Sequence, residues 1–237
     1  MPKLAISFLL MCVSVGLAAS KPEAQSATRP LAQNPAERIV ARAREIVHDS
    51  KQSTYDHHTD IDESQNIYKC DCSGLVGYIL KSVAPAHFKQ LVVNRHHFRP
   101  LAVDFYDTFI TAPTTRPSQT GWQQIDRIED VLPGDVLAWK KLDRKPGDTT
   151  GHVVVINSPA MREGDNLVRI EIIDSTTAPH ADDTRPRGQT GVGAGSVWFD
   201  IDDSGKPVGY HSRNRDGKAM HMPISIGRPV GPETATP

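Results

Sequence analysis

The sequence predicts an α+β fold, with helices gathered in its first half and an antiparallel sheet in its second. Three observations lead there. Apolar residues recur at helical spacing in segments lying between Asn34 and Ile110. From Val136 onward the pattern changes to short runs of β-branched residues, separated by Gly, Asp and Pro turns. Helices and strands that are segregated along the chain favour α+β over a parallel α/β sheet.

The elements follow in order. Asn34-Pro35-Ala36-Glu37 is a helix start, with a capping Asn, a Pro at the first turn and a Glu placed to reach back. Ile39, Val40, Ala43, Ile46 and Val47 form one apolar face, so this helix runs to about Asp49. A second helix begins at Cys72 or Ser73, because Leu75, Val76, Ile79 and Leu80 share a face, and it ends before Pro85. A third spans Ala102–Ile110 and gives way to a Pro/Thr-rich loop over Thr111–Thr120. Strands are expected at Val136–Trp139 after the turn Pro133-Gly134-Asp135, at His152–Ile156, and at Leu167–Ile173. Ser196–Ile201 then turns through Asp202–Gly205 into Pro207–His211, and Met222–Ile226 closes the set.

The ends bound the compartment. Met1-Pro2-Lys3 is a short basic start, Leu4 to Leu17 is almost wholly apolar, and Ala18-Ala19-Ser20 supplies small residues before Lys21. That is the pattern of a secretory signal peptide over 1–20, cleaved near Ser20 and too short to serve as a membrane span. Leu10 and Met11 before Cys12 lack the small residues a lipid-attachment site requires. The mature chain is therefore expected across the inner membrane, periplasmic or extracellular, with no integral membrane segment after cleavage. Residues 21–33 and 229–237 read as disordered linker and tail, leaving 34–228 as one folded domain, expected to be a monomer. Removing the signal leaves Cys70 and Cys72, too few for a disulfide framework, so the domain must fold on its core. The net charge of -1 and the absence of a basic cluster with interleaved aromatics argue against nucleic acid as a partner.

One stretch carries chemistry. Between Tyr68 and Tyr78, Cys72 sits at the start of a helix, where unpaired backbone N–H groups and the dipole favour negative charge. A thiol held there is a candidate nucleophile, although a lone Cys is more often a small buried residue. A nucleophile needs a base, and the base needs a third group to orient it. His152 opens a strand after the flexible Gly147–Gly151 and is the candidate base; Asp174, at the end of the next strand, is the candidate orienter. Sequential strands commonly pair, which would bring both onto one sheet.

The segment Asp71-Cys72-Ser73-Gly74-Leu75-Val76 resembles the nucleophile motif of the NlpC-type cell-wall cysteine peptidases, in the papain-like superfamily and related to CHAP amidases. Leu132–Trp139 resembles that family's Pro-Gly-Asp strand opening, and Gly151–Ile156 its catalytic-histidine strand. The resemblance covers about Arg38 to Thr176. It implies a nucleophile helix packed on a small antiparallel sheet, with Cys72, His152 and Asp174 as the triad. It also implies a tyrosine lining the oxyanion site, Tyr55 first and Tyr68 second, together with the Cys72 N–H; Asp71 and Ser73 join them as residues near the substrate. The activity implied is hydrolysis of amide bonds in peptidoglycan stem peptides, with peptidoglycan or muropeptides as partner and neither cofactor nor metal. The chain departs from the pattern in four places. The third triad residue is more often His, Asn or Gln, and the usual Trp-Gly-Gly after the tyrosine is Asp56-His57-His58 here. Residues 84–121 read as an insertion and 178–228 as an extension. An amidase of another secreted substrate, or a catalytically silent wall-binding or adaptor protein, are the alternatives.

Other features point elsewhere. A Cys70–Cys72 disulfide would close a small strained ring. His57-His58 and His96-His97, with Asp56, Asp60 and Asp62, invite a metal reading, but adjacent histidines point apart and no supporting helix motif is present. Gly188–Gly195 is expected to be a mobile lid or a turn, and Asp200, Asp202, Asp203 and Gly205 a hairpin turn and not a calcium loop.

Overall fold

The structure, a computed structural model, describes residues 34–93, 98–145 and 147–231. The signal peptide and linker expected over 1–33, the pair His96-His97 and the terminal residues 232–237 lie outside them. Four helices come first: α1 Pro35–Asp49, α2 Cys72–Val83, α3 Pro85–Lys89 and α4 Ala102–Ile110. Asn34 caps α1 as its sequence demands, its Oδ1 accepting the Ala36 N–H at 3.0 Å. Ile39, Ala43 and Ile46 of that helix are buried. Pro85 does end α2, but it also starts the unexpected α3, since a proline at the first turn loses no hydrogen bond.

The strands are β1 Gln52–Thr54, β2 Asp60–Asp62, β3 Ile67–Lys69, β4 Gly121–Gln124, β5 Val136–Lys140 and β6 Gly151–Ile156. They continue with β7 Met161–Gly164, β8 Leu167–Thr176, β9 Gly191–Ile201, β10 Pro207–His211 and β11 Ile224–Val230. The main sheet runs β10-β9-β8-β6-β5-β11-β4, with β7 on β8, and every pairing in it is antiparallel. A small sheet β1-β3-β2 stands apart. The α+β class follows directly. Strands β1 to β4 and β7 span four residues or fewer, too short to show an alternation in the sequence.

Two cores flank the main sheet. On one face α1, α2 and α4 bury Ile39, Leu75, Ile79, Phe105 and Phe109 against Val136, Val153, Val155 and Ile173. The sheet curls around the other, so that Val154, Ile170, Phe199 and Ile226 share a cluster with Tyr210 of β10. Trp139 of β5 and Tyr210 meet at 4.4 Å between ring centroids although three strands separate them in the sheet order. Residues 178–228 therefore supply three strands of the one sheet and are no appendage. The strand β11 also reaches into the expected disordered tail: Pro229 and Val230 pair with Trp122 and Gly121 of β4. Pro229 lies past the stretch paired with β5, where β11 has a single neighbour and a missing donor is tolerated.

The turn Pro133-Gly134-Asp135 proves to be an anchor. Gly134, at φ +93°, has the Ala36 carbonyl where a Cβ would stand, so α1 rests on this turn. Buried Asp135 accepts from the Leu132 N–H at 2.8 Å and from Arg228 of β11 at 2.8 and 2.9 Å.

The glycine-rich segment is the principal correction. Gly191–Gly195 is neither lid nor turn but the first half of β9, paired residue for residue with β8. Gly193 and Gly195 share a face, and the excursion Thr177–Thr190 folds back over it. A Cβ on Gly193 would lie 2.6–2.8 Å from the Arg185 side chain, and one on Gly195 would lie 2.9 Å from His180 Cβ. Gly193→Ala should therefore cost about 1–3 kcal/mol through displaced Arg185, read as a lowered melting temperature. Gly77→Ala, whose Cβ meets only Phe88 at 3.6 Å, should instead stabilise α2 by up to about 1 kcal/mol.

Candidate active site

The start of α2 is fixed from several sides. Asp71 is its cap: Oδ1 accepts the Gly74 N–H at 2.7 Å and the Ser73 hydroxyl at 3.0 Å. Its Oδ2 accepts from Arg99 at 2.6 Å and faces His57 Nδ1 at 3.2 Å. Burial alone would raise the Asp71 pKa, but the Arg99 and Gly74 hydrogen bonds outweigh it and hold the carboxyl below its usual range. Ser73 Oγ accepts from Arg99 at 2.6 Å. Asp71 and Ser73 thus line the cleft, while their polar atoms hold the helix start and Arg99. A second tie comes from the sheet, where Ser175 of β8 donates to the Cys70 carbonyl at 2.6 Å. Helix geometry leaves the N–H groups of Cys72 and Ser73 without an intrahelical acceptor, beside the Cys72 side chain.

His152 begins β6 and Asp174 lies near the end of β8, so antiparallel order puts both at the same end of the sheet. His152 Nε2 and Asp174 Oδ2 are 2.6 Å apart, and the imidazole packs on Trp139 at 4.9 Å between centroids. The ring also lies close enough to Cys72 to feel its charge. Burial opposes charge on His152, but the Cys72 thiolate and the Asp174 carboxylate prevail and push its pKa up to about 10. The structure thus brings Cys72, His152 and Asp174 close together.

The structure adds two residues that the sequence reading missed. Asp174 Oδ2 also meets His180 Nε2 at 2.8 Å, and Oδ1 accepts from Arg185 at 2.9 Å. The other nitrogen of His180 faces the Ser212 carbonyl at 3.1 Å. Arg185 is clamped in turn by Asp183, at 2.7 and 2.8 Å, and by the Gly191 carbonyl at 2.6 Å. Asp174 is completely buried; desolvation alone would raise its pKa, yet the two histidines drive it far below the usual carboxylate range. The excursion Thr177–Thr190 shows no periodicity that would mark His180 or Arg185. The alternating glycines Gly191, Gly193 and Gly195 were the available signal, since such a stripe makes room for something bulky above it.

His152, Asp174 and His180 offer ligand atoms within 4.8 Å of one another. Their N···O separations of 2.6 and 2.8 Å are those of hydrogen bonds. Ligands around a tetrahedral zinc with bonds near 2.0 Å would stand about 3.3 Å apart. The other carboxylate oxygen also faces a guanidinium, which would repel a cation. The arrangement suits proton sharing. Near Asp202 the turn reading applies, its Oδ1 accepting from the Ser204 and Lys206 N–H groups at 2.9 and 3.0 Å.

Two cavities meet beside these three residues. One, of about 590 Å³, is bordered by Cys72, Ser73, Arg99 and Thr150; the other, of about 370 Å³, by His152, Trp139, His180 and Tyr210. Tyr55 borders both. The Thr190 hydroxyl accepts the Tyr55 N–H at 3.2 Å, which ties the tyrosine to the approach to β9. Burial, then the charges of Cys72 and Asp71, raise the Tyr55 pKa and keep its phenol a donor. Tyr68 borders neither cavity; it is buried in the helix-side core, edge-on to Tyr78 at 6.5 Å. Of the two tyrosines, Tyr55 alone borders the cleft beside Cys72. Cys70 and Cys72 form no disulfide, and burial, the largest influence, pushes Cys70 up to about 12. No helix among the described residues is long and apolar enough to cross a membrane.

An uncharacterized protein of Acanthamoeba polyphaga mimivirus is 34% identical to the chain over 182 residues, spanning 67% of this chain and 76% of the viral protein. No family model and no solved structure matches.

Asp174 yields a stability prediction. Its folded pKa is depressed, so its contribution is full above the unfolded value of about 3.9 and drains away as the pH falls below it. Asp174→Asn, which leaves Arg185 short of a partner, should lower stability at neutral pH by about 3 kcal/mol in urea titrations. That gap should narrow below about pH 3.9; a gap that stays constant into strong acid would contradict the assignment.

Proposed function

The chain belongs to the same family as that mimivirus protein, and we propose that it is an exported cysteine hydrolase that cuts amide bonds in peptidoglycan stem peptides. The fold we propose is the papain-like, NlpC-type one. The observation that carries this reading is the contact chain Cys72–His152–Asp174 at the capped start of α2. A thiol, an imidazole and a carboxylate in that order form the constellation that nucleophilic acyl transfer requires.

The Cys72 thiolate attacks the amide carbonyl carbon. Negative charge then develops on the carbonyl oxygen, toward the free N–H groups of the helix start and the Tyr55 hydroxyl. His152 gives its proton to the amide nitrogen as the C–N bond breaks, and the amine departs. Formation of the thioester removes the thiolate charge that held the proton on His152. The neutral ring then takes a proton from water, and the resulting hydroxide attacks the thioester. Cleavage of the C–S bond restores thiolate and imidazolium. Asp174 keeps the ring oriented throughout, as a positioning residue.

Wild-type protein incubated with purified peptidoglycan should release stem-peptide fragments detectable by mass, and Cys72→Ala should release none. Fragments from both, or from neither, would overturn the reading. The alkaline limb of kcat/KM should lie near the raised His152 value of about 10. Asp174→Asn should lower that limb, though not to the ordinary imidazole value of about 6.5, because the charge at Cys72 still favours the protonated ring. Mass measurement of the exported protein should find its N-terminus near Ser20 or Lys21.

A further inference from the structure

The two cavities differ in charge, and the difference bears on what the site accepts. The larger one borders Cys72 but not His152, the smaller one His152 but not Cys72. If Cys72 takes the acyl carbon and His152 protonates the departing nitrogen, the smaller cavity must hold the leaving amine; this step rests on the function proposed above. Two carboxylates, Asp71 and Asp148, border the acyl side together with Arg99, His57 and His58, and Arg99 pairs with Asp71 at 2.6 Å. No carboxylate borders the leaving side, where Lys141, Arg213, His57, His152 and His180 are the charge-bearing groups. Lys141 pairs at 2.9 Å with Asp148, whose carboxylate lies on the acyl side. Arg213 is exposed and makes no ion pair or hydrogen bond among the described residues. Trp139 and Tyr210, stacked at 4.4 Å, supply an apolar wall on the same side.

We propose that the cavity between Arg213, Lys141 and the Trp139–Tyr210 wall is a carboxylate-binding subsite, and that the leaving amine of the substrate carries a free carboxylate there. An unpaired guanidinium at the mouth of a cavity without acids favours an anion, and its planar fork matches a carboxylate in two parallel hydrogen bonds. The aromatic wall accommodates the aliphatic part of the same residue. The cations of the other cavity are not free in the same way, since Arg99 is held by Asp71, so the unpaired Arg213 sets the direction in which a peptide lies across the thiol.

The test uses the full chain with Cys72→Ala, which binds without turnover. Its ligands are two synthetic stem-type peptides, identical except that the residue after the scissile bond ends in a carboxylate in one and a carboxamide in the other. Calorimetry should find the carboxylate form bound about 10- to 100-fold more tightly. Arg213→Ala added to the same background should erase that preference, and Arg213→Lys should retain part of it. Equal affinity for the two peptides, no binding of either, or a preference indifferent to Arg213→Ala would overturn the subsite. Should the preference hold while wild-type protein cleaves neither peptide, the hydrolase reading falls and the anion site stands.

Discussion

Much of this structure turns on one buried carboxylate. Asp174 has no exposed surface, and an ionised group in that position is costly unless its lone pairs are filled. Three donors fill them: His152, His180 and Arg185. His152 comes from β6, and His180 and Arg185 from the excursion Thr177–Thr190, so satisfying one residue of β8 draws together β6, β8 and the long excursion before β9. The excursion passes close over β9 because Gly193 and Gly195 have no side chain in its path. A site of this kind is assembled by the demand of one charge for partners, and its geometry is only as precise as those partners are immobile.

The same economy of placement separates the two cysteines. They are two residues apart, yet Cys70 is buried under Ser175 and its thiol is pushed up to about 12, while Cys72 meets an imidazole. Desolvation without a cation disfavours a thiolate at Cys70. The helix start decides which residue receives which environment. Asp71 caps α2, Arg99 holds Asp71, and Ser175 holds the Cys70 carbonyl, so the first turn cannot rotate to exchange them.

Tyr55 and Tyr68 show how strongly position within a short strand matters. Both lie upstream of Cys72 and have the same chemistry. Tyr68 is the central residue of β3 and faces the helix-side core, whereas Tyr55 follows β1 and is carried to the junction of the two cavities by its link to Thr190. Nothing in the spacing distinguishes them, because a three-residue strand has no pattern to read.

By itself the sequence determined what depends on near neighbours. The capped start of α1, the helix that begins at Cys72, the helix Ala102–Ile110 and the β-branched strands from Val136 onward all express spacing within a few residues, and backbone hydrogen bonding acts over that range. The α+β class and the candidates Cys72, His152 and Asp174 were legible for the same reason, each lying at the end of a recognisable element. Only the tertiary structure decided that 178–228 completes the sheet, that the glycine-rich run is a strand, and that His180 and Arg185 hold Asp174. Those outcomes depend on which strands neighbour one another and on how the sheet curls, and sheet order is set by burial across the whole chain, beyond the reach of local propensity.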